Sequence, residues 1–184
     1  MFDAPLRRFA VTACCVAMLA ACGSSNPGPS PAPSSAAVQS SVTPTASWPP
    51  DERALQIVER LIQLDIKHLY GGDPVLPKEF HQFMAPHVVQ WFEEDYAEVR
   101  TGNYSFEGIE QATNEVALFK GEVPEKTIAA VHSCSNFEKV TVLKDGVPQG
   151  NGGVIYARYF FGLIDGSLMI VDMTGEMVTE CTLQ

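Results

Sequence analysis

The stretch from residue 23 to residue 50 most constrains how this chain can fold. It contains seven prolines, eight serines and no charged residue. Such a segment cannot bury enough apolar surface to offset the conformational entropy that is lost on ordering. We therefore expect a disordered linker here, which leaves residues 51–184 as one domain. Its 134 residues are enough for a single hydrophobic core.

The segment before the linker, residues 1–21, has the order of a secretory signal peptide. Arg7 and Arg8 precede an apolar run, 9–21, that ends in small residues. A membrane-spanning helix needs about 20 apolar residues, so this run is too short for one. The two arginines leave a twin-arginine export signal as the alternative to the general export route.

The end of this run carries a more specific motif. Leu19, Ala20, Ala21 and Cys22 stand in sequence, and this string resembles the lipobox of bacterial lipoproteins. The resemblance implies that Cys22 is linked to diacylglycerol, becomes the new N-terminus and is acylated again, for example with palmitate. Several acyl chains, at about 0.8 kcal/mol per buried methylene, would hold the protein on the extracytoplasmic face of the cell membrane. A secreted protein cut after Ala21, with Cys22 incidental, is the alternative.

The charge of the chain favours some partners over others. The net charge is −10, and apart from Asp3, Arg7 and Arg8 every charged residue lies at or after Asp51. A domain this acidic is a poor partner for nucleic acid, whose phosphates require clustered lysines and arginines. We interpret the charge as a source of solubility, with an acidic docking surface as the alternative.

Two cysteines, Cys134 and Cys181, lie in the domain. An even pair in an exported chain predicts a disulfide. Two free thiols or two metal ligands are the alternatives. Metal sites usually need three or four clustered ligands, and no CxxC or HxxxH motif accompanies these cysteines, so we expect no metal.

The first half of the domain has a helical pattern. A first helix is predicted from Asp51 to about Tyr70, because prolines and acids precede it and Gly71 and Gly72 follow it. A second helical region is predicted at 78–100, and Pro86 should break it into pieces at 78–85 and 86–98.

The second half has the pattern of β-strands, predicted at 113–123, 126–133, 137–144, 154–164, 168–173 and 177–182. The pair Asp145-Gly146 should open a longer loop through Gly153, whereas Asp165-Gly166 and Thr174-Gly175 should each form a tight hairpin turn. Helices followed by a run of strands predict an α+β fold, with the N-terminal helices packed on a curved antiparallel β-sheet.

This order of elements resembles the cone-shaped, cystatin-like fold of the nuclear transport factor two-like superfamily, which includes the SnoaL-like proteins. Three strings, Val131-His132-Ser133-Cys134, Lys144-Asp145-Gly146 and Thr179-Glu180-Cys181, are similar to exported actinobacterial lipoproteins of that fold. In that group a cysteine on a middle strand pairs with one near the end of the chain. The chain departs from the pattern at Ser133 and Ser135, where acids are common, and at Leu168-Met169, where an aromatic residue is usual. The resemblance implies a cavity between the first helix and the sheet, and no reaction.

Two residues of the first helix break its amphipathic pattern. At 100° per residue, Asp65 falls within the apolar stripe, and His68 lies about 60° away on the same stripe. A carboxylate against an apolar cavity wall costs free energy unless it is paired, and a functional site is one reason to tolerate that cost. The alternatives are structural: Asp65 caps a backbone N–H or pairs with Arg158, and His68 lies at the exposed helix end.

Tyr156 and Arg158 are further candidates for the ligand pocket. They alternate along the strand 154–164 with an apolar set that we expect to face the core, so they face outward or toward a helix edge. His132 is interpreted as a core or rim residue, and the run 93–95 as a solvated helix face. A further set is assigned to the core: Trp91, Phe92 and Tyr96.

The sequence supports three functional hypotheses and implies no cofactor. The first is a membrane-tethered domain that binds a small apolar ligand or an envelope protein without catalysis. The second is a small-molecule isomerase, dehydratase or hydrolase that uses Asp65 and His68 as acid and base. The third is an accessory subunit of an envelope complex. Fold alone does not decide between them.

Overall fold

The computed structural model describes residues 49–183, which form an α+β fold. The predicted signal peptide, the lipobox-like string that ends at Cys22 and nearly all of the predicted linker lie outside the described residues. Within 49–183 the chain forms three α-helices, one 3₁₀ turn and seven strands. They are α1 (Pro50–His68), α2 (Phe80–Phe83), α3 (Pro86–Thr101), β1 (Tyr104–Glu107), the 3₁₀ turn (Ile109–Gln111), β2 (Thr113–Leu118), β3 (Ala129–Asn136), β4 (Thr141–Lys144), β5 (Val147–Asn151), β6 (Val154–Ile164) and β7 (Ser167–Val178).

The first helix lies where the sequence predicts it. Pro50 occupies the first turn, where its missing N–H costs no helical hydrogen bond, and acidic residues follow it. The chain leaves the helix through Gly71 and Gly72, and Gly72 has a φ of 90°, a conformation that glycine adopts without strain. One face of α1 is buried against the hydrophobic core through Ala54, Ile57, Val58, Leu61 and Leu64.

The larger sheet has four antiparallel strands in the order β2-β3-β6-β7. Alternate residues point to opposite faces of a strand. The inner face, which includes Val131, Tyr159 and Phe161, packs with α1 in the core. The outer face carries the side chains that alternate with these, among them His132 and Arg158, which lie opposite each other in the register of β3 and β6.

The smaller sheet has three antiparallel strands in the order β1-β4-β5. Strands β4 and β5 are joined by Asp145 and Gly146, whose φ angles are 52° and 74°. Two successive residues with positive φ form the tight turn that suits the twist of a hairpin. The strands β1 and β5 were not predicted, and the expected single curved sheet is replaced by two sheets.

Two turn predictions are wrong. Asp145-Gly146 closes a tight hairpin instead of opening a longer loop. Thr174-Gly175 is no turn, because β7 runs without interruption from Ser167 to Val178 and pairs with β6 along its length. A tight hairpin turn needs positive φ at its central residues, and neither Thr174 nor Gly175 has it. The Asp165-Gly166 hairpin is confirmed, with φ angles of 49° and 77°.

The predicted core face of β6 holds only in part. Ala157, Tyr159 and Phe161 are buried as expected, but Leu163 is 60% exposed. The register between β6 and β7 shifts between Phe160 and Phe161, and both of these side chains are buried. Such an irregularity breaks the simple alternation on which the prediction relied.

Among residues 49–183, no helix combines the length and the hydrophobicity that a membrane span requires.

Candidate functional site

A cleft of about 820 Å³ lies between α1, α3, the inner face of the larger sheet and the face of the smaller sheet that carries Tyr104 and Phe106. This volume is within the usual range for small-molecule sites. Most of its lining is apolar or aromatic, and the polar side chains are few. The residues that line it from the helices are Ile62, Asp65, Ile66, Leu69, Tyr70, Phe92, Asp95, Glu98 and Val99; those from the strands and their connections include Tyr104, Phe106, Ser133, Ser135, Phe137, Lys144, Ile155, Ala157, Tyr159, Met173, Gly175 and Met177.

Asp65 is the most perturbed carboxyl group in the cleft. Its side chain is half-buried, and its Oδ1 accepts a hydrogen bond of 2.8 Å from the hydroxyl of Tyr96. Burial raises the pKa of Asp65 to about 7; the hydrogen bond from Tyr96 lowers it and the charge of Asp95 raises it further. Near neutral pH this group is therefore present in both the acid and the carboxylate form.

Further titratable groups surround Asp65. Burial raises the pKa of Asp95 to about 6, and the charges of Glu98 and Glu94 add to this effect. Burial also raises the pKa of Tyr159 to about 12, although a hydrogen bond with Ser133 opposes it. The largest cause of each of these shifts is the desolvation of polar groups inside a largely apolar cleft.

One wall of the cleft is aromatic. The ring of Tyr70 stacks on Phe137, with centroids 4.9 Å apart, and meets Phe106 edge-on at 4.8 Å. Burial raises the pKa of Tyr70, and the charge of Asp65 raises it further. Lys144 contributes a cation to the lining, and its Nζ lies 5.4 Å from the centre of the Tyr104 ring.

This arrangement suits binding of an amphipathic small molecule. Apolar and aromatic side chains would bury the body of a ligand, and Asp65 could accept or donate a hydrogen bond at its polar end. Within residues 49–183 no group of three or more His, Cys, Asp or Glu side chains could hold a metal ion.

The two residues predicted as an acid and base pair do not face a common point. Asp65 lines the cleft, whereas His68 is outside its lining, and the Nδ1 of His68 lies 4.0 Å from an exposed carboxylate oxygen of Asp73. The alternative partner proposed for Asp65, Arg158, does not pair with it, because Arg158 lies on the outer face of the larger sheet and Asp65 lines the cleft. The side-chain partner of Asp65 is the hydroxyl of Tyr96.

The other two predicted pocket residues lie on the outer face of the larger sheet. The hydroxyl of Tyr156 is 3.1 Å from Nδ1 of His132, and Nε of Arg158 donates a hydrogen bond of 3.1 Å to Thr174. Arg158 also lies over the ring of Phe119. His132 is buried, which lowers its pKa, and its Nε2 has no partner among the described residues. Tyr156 and Arg158 therefore belong to a different cluster from Asp65.

The structure brings the two cysteines of the domain together. Cys134 lies on β3 and Cys181 follows β7, and their Cα atoms are 5.9 Å apart, a normal distance for a disulfide. A disulfide here would hold the segment after β7 at the outer face of the larger sheet, on which Cys134 lies.

Several cleft residues were missed from the sequence. Asp95 was assigned to a solvated face together with Glu93 and Glu94, but it is half-buried while those two are exposed. Its signal was available: Phe92, Asp95 and Val99 share a helical stripe, so Asp95 breaks the amphipathic pattern as Asp65 does. No local signal marks Tyr96 as the donor to Asp65, because 31 residues separate the two.

No protein-family model matches the chain, and comparisons with curated proteins and with solved structures find no match either.

Proposed function

We propose that this protein is a lipid-anchored lipoprotein of the bacterial cell envelope whose domain binds a small, largely apolar ligand without catalysis. The observation that carries the proposal is the cleft of about 820 Å³, with its apolar lining and the carboxyl group of Asp65. Apolar clefts with a few polar groups are the usual form of small-molecule sites. The leader and Cys22 supply the proposed anchor, and the linker holds the domain away from the membrane.

The finer fold assignment is part of the same proposal. We infer a nuclear transport factor two-like cone, because α1 packs on an antiparallel sheet and a cleft lies between helix and strands. The predicted disulfide between Cys134 and Cys181 fits this assignment.

The proposal excludes acid–base catalysis by Asp65 and His68. Such a mechanism needs both groups within hydrogen-bond reach of one substrate. His68 lies outside the cleft near Asp73, and one oxygen of Asp65 already accepts the hydroxyl of Tyr96.

Native mass spectrometry of the full chain, purified from its own host as the Cys22→Ala variant, tests the binding. We expect a bound small molecule. Ser135→Phe should weaken the binding, because Ser135 lines the cleft and a phenyl ring there occupies part of its volume. Thr113→Phe, which adds the same ring at an exposed position of β2, should retain it. A ligand that binds Ser135→Phe as fully as the wild-type chain, or no ligand in any form, would contradict the proposal.

The anchor is tested by fractionation of the host. The wild-type chain should partition with the membrane, and the Cys22→Ala variant should be soluble because it lacks the site of lipidation. Wild-type protein in the soluble fraction would contradict lipidation at Cys22.

A further inference from the structure

The charges that face the cleft are unbalanced. Three carboxyl groups line it, those of Asp65, Asp95 and Glu98, against one cation, Lys144. Within residues 49–183 no lysine or arginine nitrogen forms a salt bridge with Asp65 or Asp95. A carboxylate without a counterion in a partly desolvated site costs free energy, which a bound cation would recover.

The carboxyl group of Asp65 also has unused capacity. Its Oδ1 accepts the hydroxyl of Tyr96, and no described residue donates to its Oδ2. An ionised carboxylate can accept about four hydrogen bonds, so Asp65 keeps open capacity on its Oδ2 side, where the cationic group of a ligand can lie.

The aromatic wall adds a second and independent reason to expect a cation. Tyr70, Phe106 and Phe137 line the cleft together. The faces of aromatic rings attract cations, and this attraction strengthens when the cation is desolvated. Tyr70 follows Asp65 by little more than one helical turn, and its backbone N–H donates to the carbonyl of Asp65.

We infer that the cleft selects an organic cation, a molecule with a substituted ammonium group and an apolar body. The ammonium group lies against Asp65 and Asp95 with the aromatic wall beside it, and the apolar body fills the space toward the strands. An anion of the same shape would be repelled by the ionised carboxyl groups, and a neutral molecule would leave these groups without a counterion. This inference rests on the proposed function, because it names the class of ligand for the same cleft.

Three probes with the same alkyl chain test the inference: decyltrimethylammonium, decanol and decanoate. Isothermal titration calorimetry measures their binding to the full chain, exported as Cys22→Ala so that no detergent is required. We expect the cation to bind at least about tenfold more tightly than decanol, which corresponds to about 1.4 kcal/mol, and decanoate to bind most weakly. All titrations use the same ionic strength, since charge interactions are screened by salt.

Variants assign the preference to the cleft. The double substitution Asp65→Asn and Asp95→Asn should reduce the affinity for decyltrimethylammonium to about that for decanol and leave the decanol affinity unchanged. The unchanged decanol affinity also shows that the variant is folded. Glu93→Gln removes one charge from an exposed position of α3, outside the cleft, and should leave the preference intact.

The outcomes separate this inference from the function on which it rests. Equal affinity for the three probes, or tightest binding of decanoate, overturns the cationic ligand and leaves the binding function standing. A cation preference that survives the double substitution also overturns it, because the carboxyl groups of Asp65 and Asp95 would then not be its source. If no probe binds, or if Ser135→Phe changes no affinity, the proposed function fails and the inference fails with it.

Discussion

At the scale of single residues, the cleft is organised around the carboxyl group of Asp65. The groups that face it come from three elements: Tyr70 beyond the end of α1, Asp95 and Tyr96 on α3, and Tyr159 on β6. Only the hydroxyl of Tyr96 favours the ionised form, and burial and Asp95 oppose it. Asp65 is therefore held near the midpoint of its titration at neutral pH, and no arginine or lysine of residues 49–183 forms a salt bridge with it.

This raised pKa makes a prediction for stability. The carboxyl group of Asp65 has a pKa of about 7 in the folded chain, whereas in the unfolded chain its pKa is the ordinary aspartate value of 3.8. The folded state binds more protons between these values, so its stability falls as the pH rises from 3.8 to about 7 and levels off above that. Asp65→Asn should flatten this dependence and raise the free energy of unfolding at pH 8 by on the order of 2–4 kcal/mol.

Urea unfolding at a series of pH values measures the effect. The exposed Glu93→Gln variant should keep the wild-type pH dependence, since its carboxyl group is outside the cleft. An Asp65→Asn variant with the same pH dependence of stability as the wild-type chain would show that the pKa of Asp65 is not raised by folding.

The sequence pattern identified Asp65 as a cleft candidate but did not identify Asp95. Asp65 stands alone among apolar neighbours on its helical stripe, so its position is conspicuous. Asp95 follows Glu93 and Glu94, and the run of charges resembles a solvated face. The hydrogen bond from Tyr96 depends on how α1 and α3 pack, which no local pattern records.

At the scale of the elements, the sequence predicted helices and strands best where prolines or glycines mark their ends. Prolines and glycines bracket α1, and β6 occupies the predicted range from Val154 to Ile164. The strand β1 has only four residues, and β5 contains proline and glycine, which are typical of turns. These two strands are formed by pairing with β4, which is a non-local interaction.

The β6–β7 hairpin gives the second prediction. Gly166 has a φ of 77°, and a Cβ placed there would meet nothing within 4 Å, so any cost of a side chain comes from the backbone conformation alone. Gly166→Ala should lower the free energy of unfolding by about 1–2 kcal/mol, because a left-handed conformation is unfavourable for alanine. Urea unfolding tests this, with Ser167→Ala at the next exposed position as the matched control. Equal stability of the two variants would rule out the tight turn.

At the scale of the whole molecule, the disulfide between Cys134 and Cys181 would join the middle of the larger sheet to the segment after β7. The two positions are 47 residues apart in the sequence. Cross-linking a loop of this length stabilises a fold by about 4 kcal/mol, mainly by restricting the unfolded chain. The double substitution Cys134→Ala and Cys181→Ala should lower the free energy of unfolding by about that amount.

Two measurements check this prediction. Reduction of the wild-type chain should reproduce the stability of the double variant. Peptide mass analysis without reductant should recover the two cysteines as one linked species. Alkylation of both thiols in the unreduced protein would show that they are free.

The central claim is that the cleft, and no other surface of the domain, binds the ligand. Amide chemical-shift mapping by NMR during titration with decanol, a neutral probe, tests this claim most directly. We predict that the largest changes in amide chemical shift fall on inner-face residues that line the cleft, such as Ser133, Ala157 and Gly175. The amide shift of Thr113, on the outer face, should stay unchanged. Changes concentrated on the outer face, or no changes at all, would contradict the account.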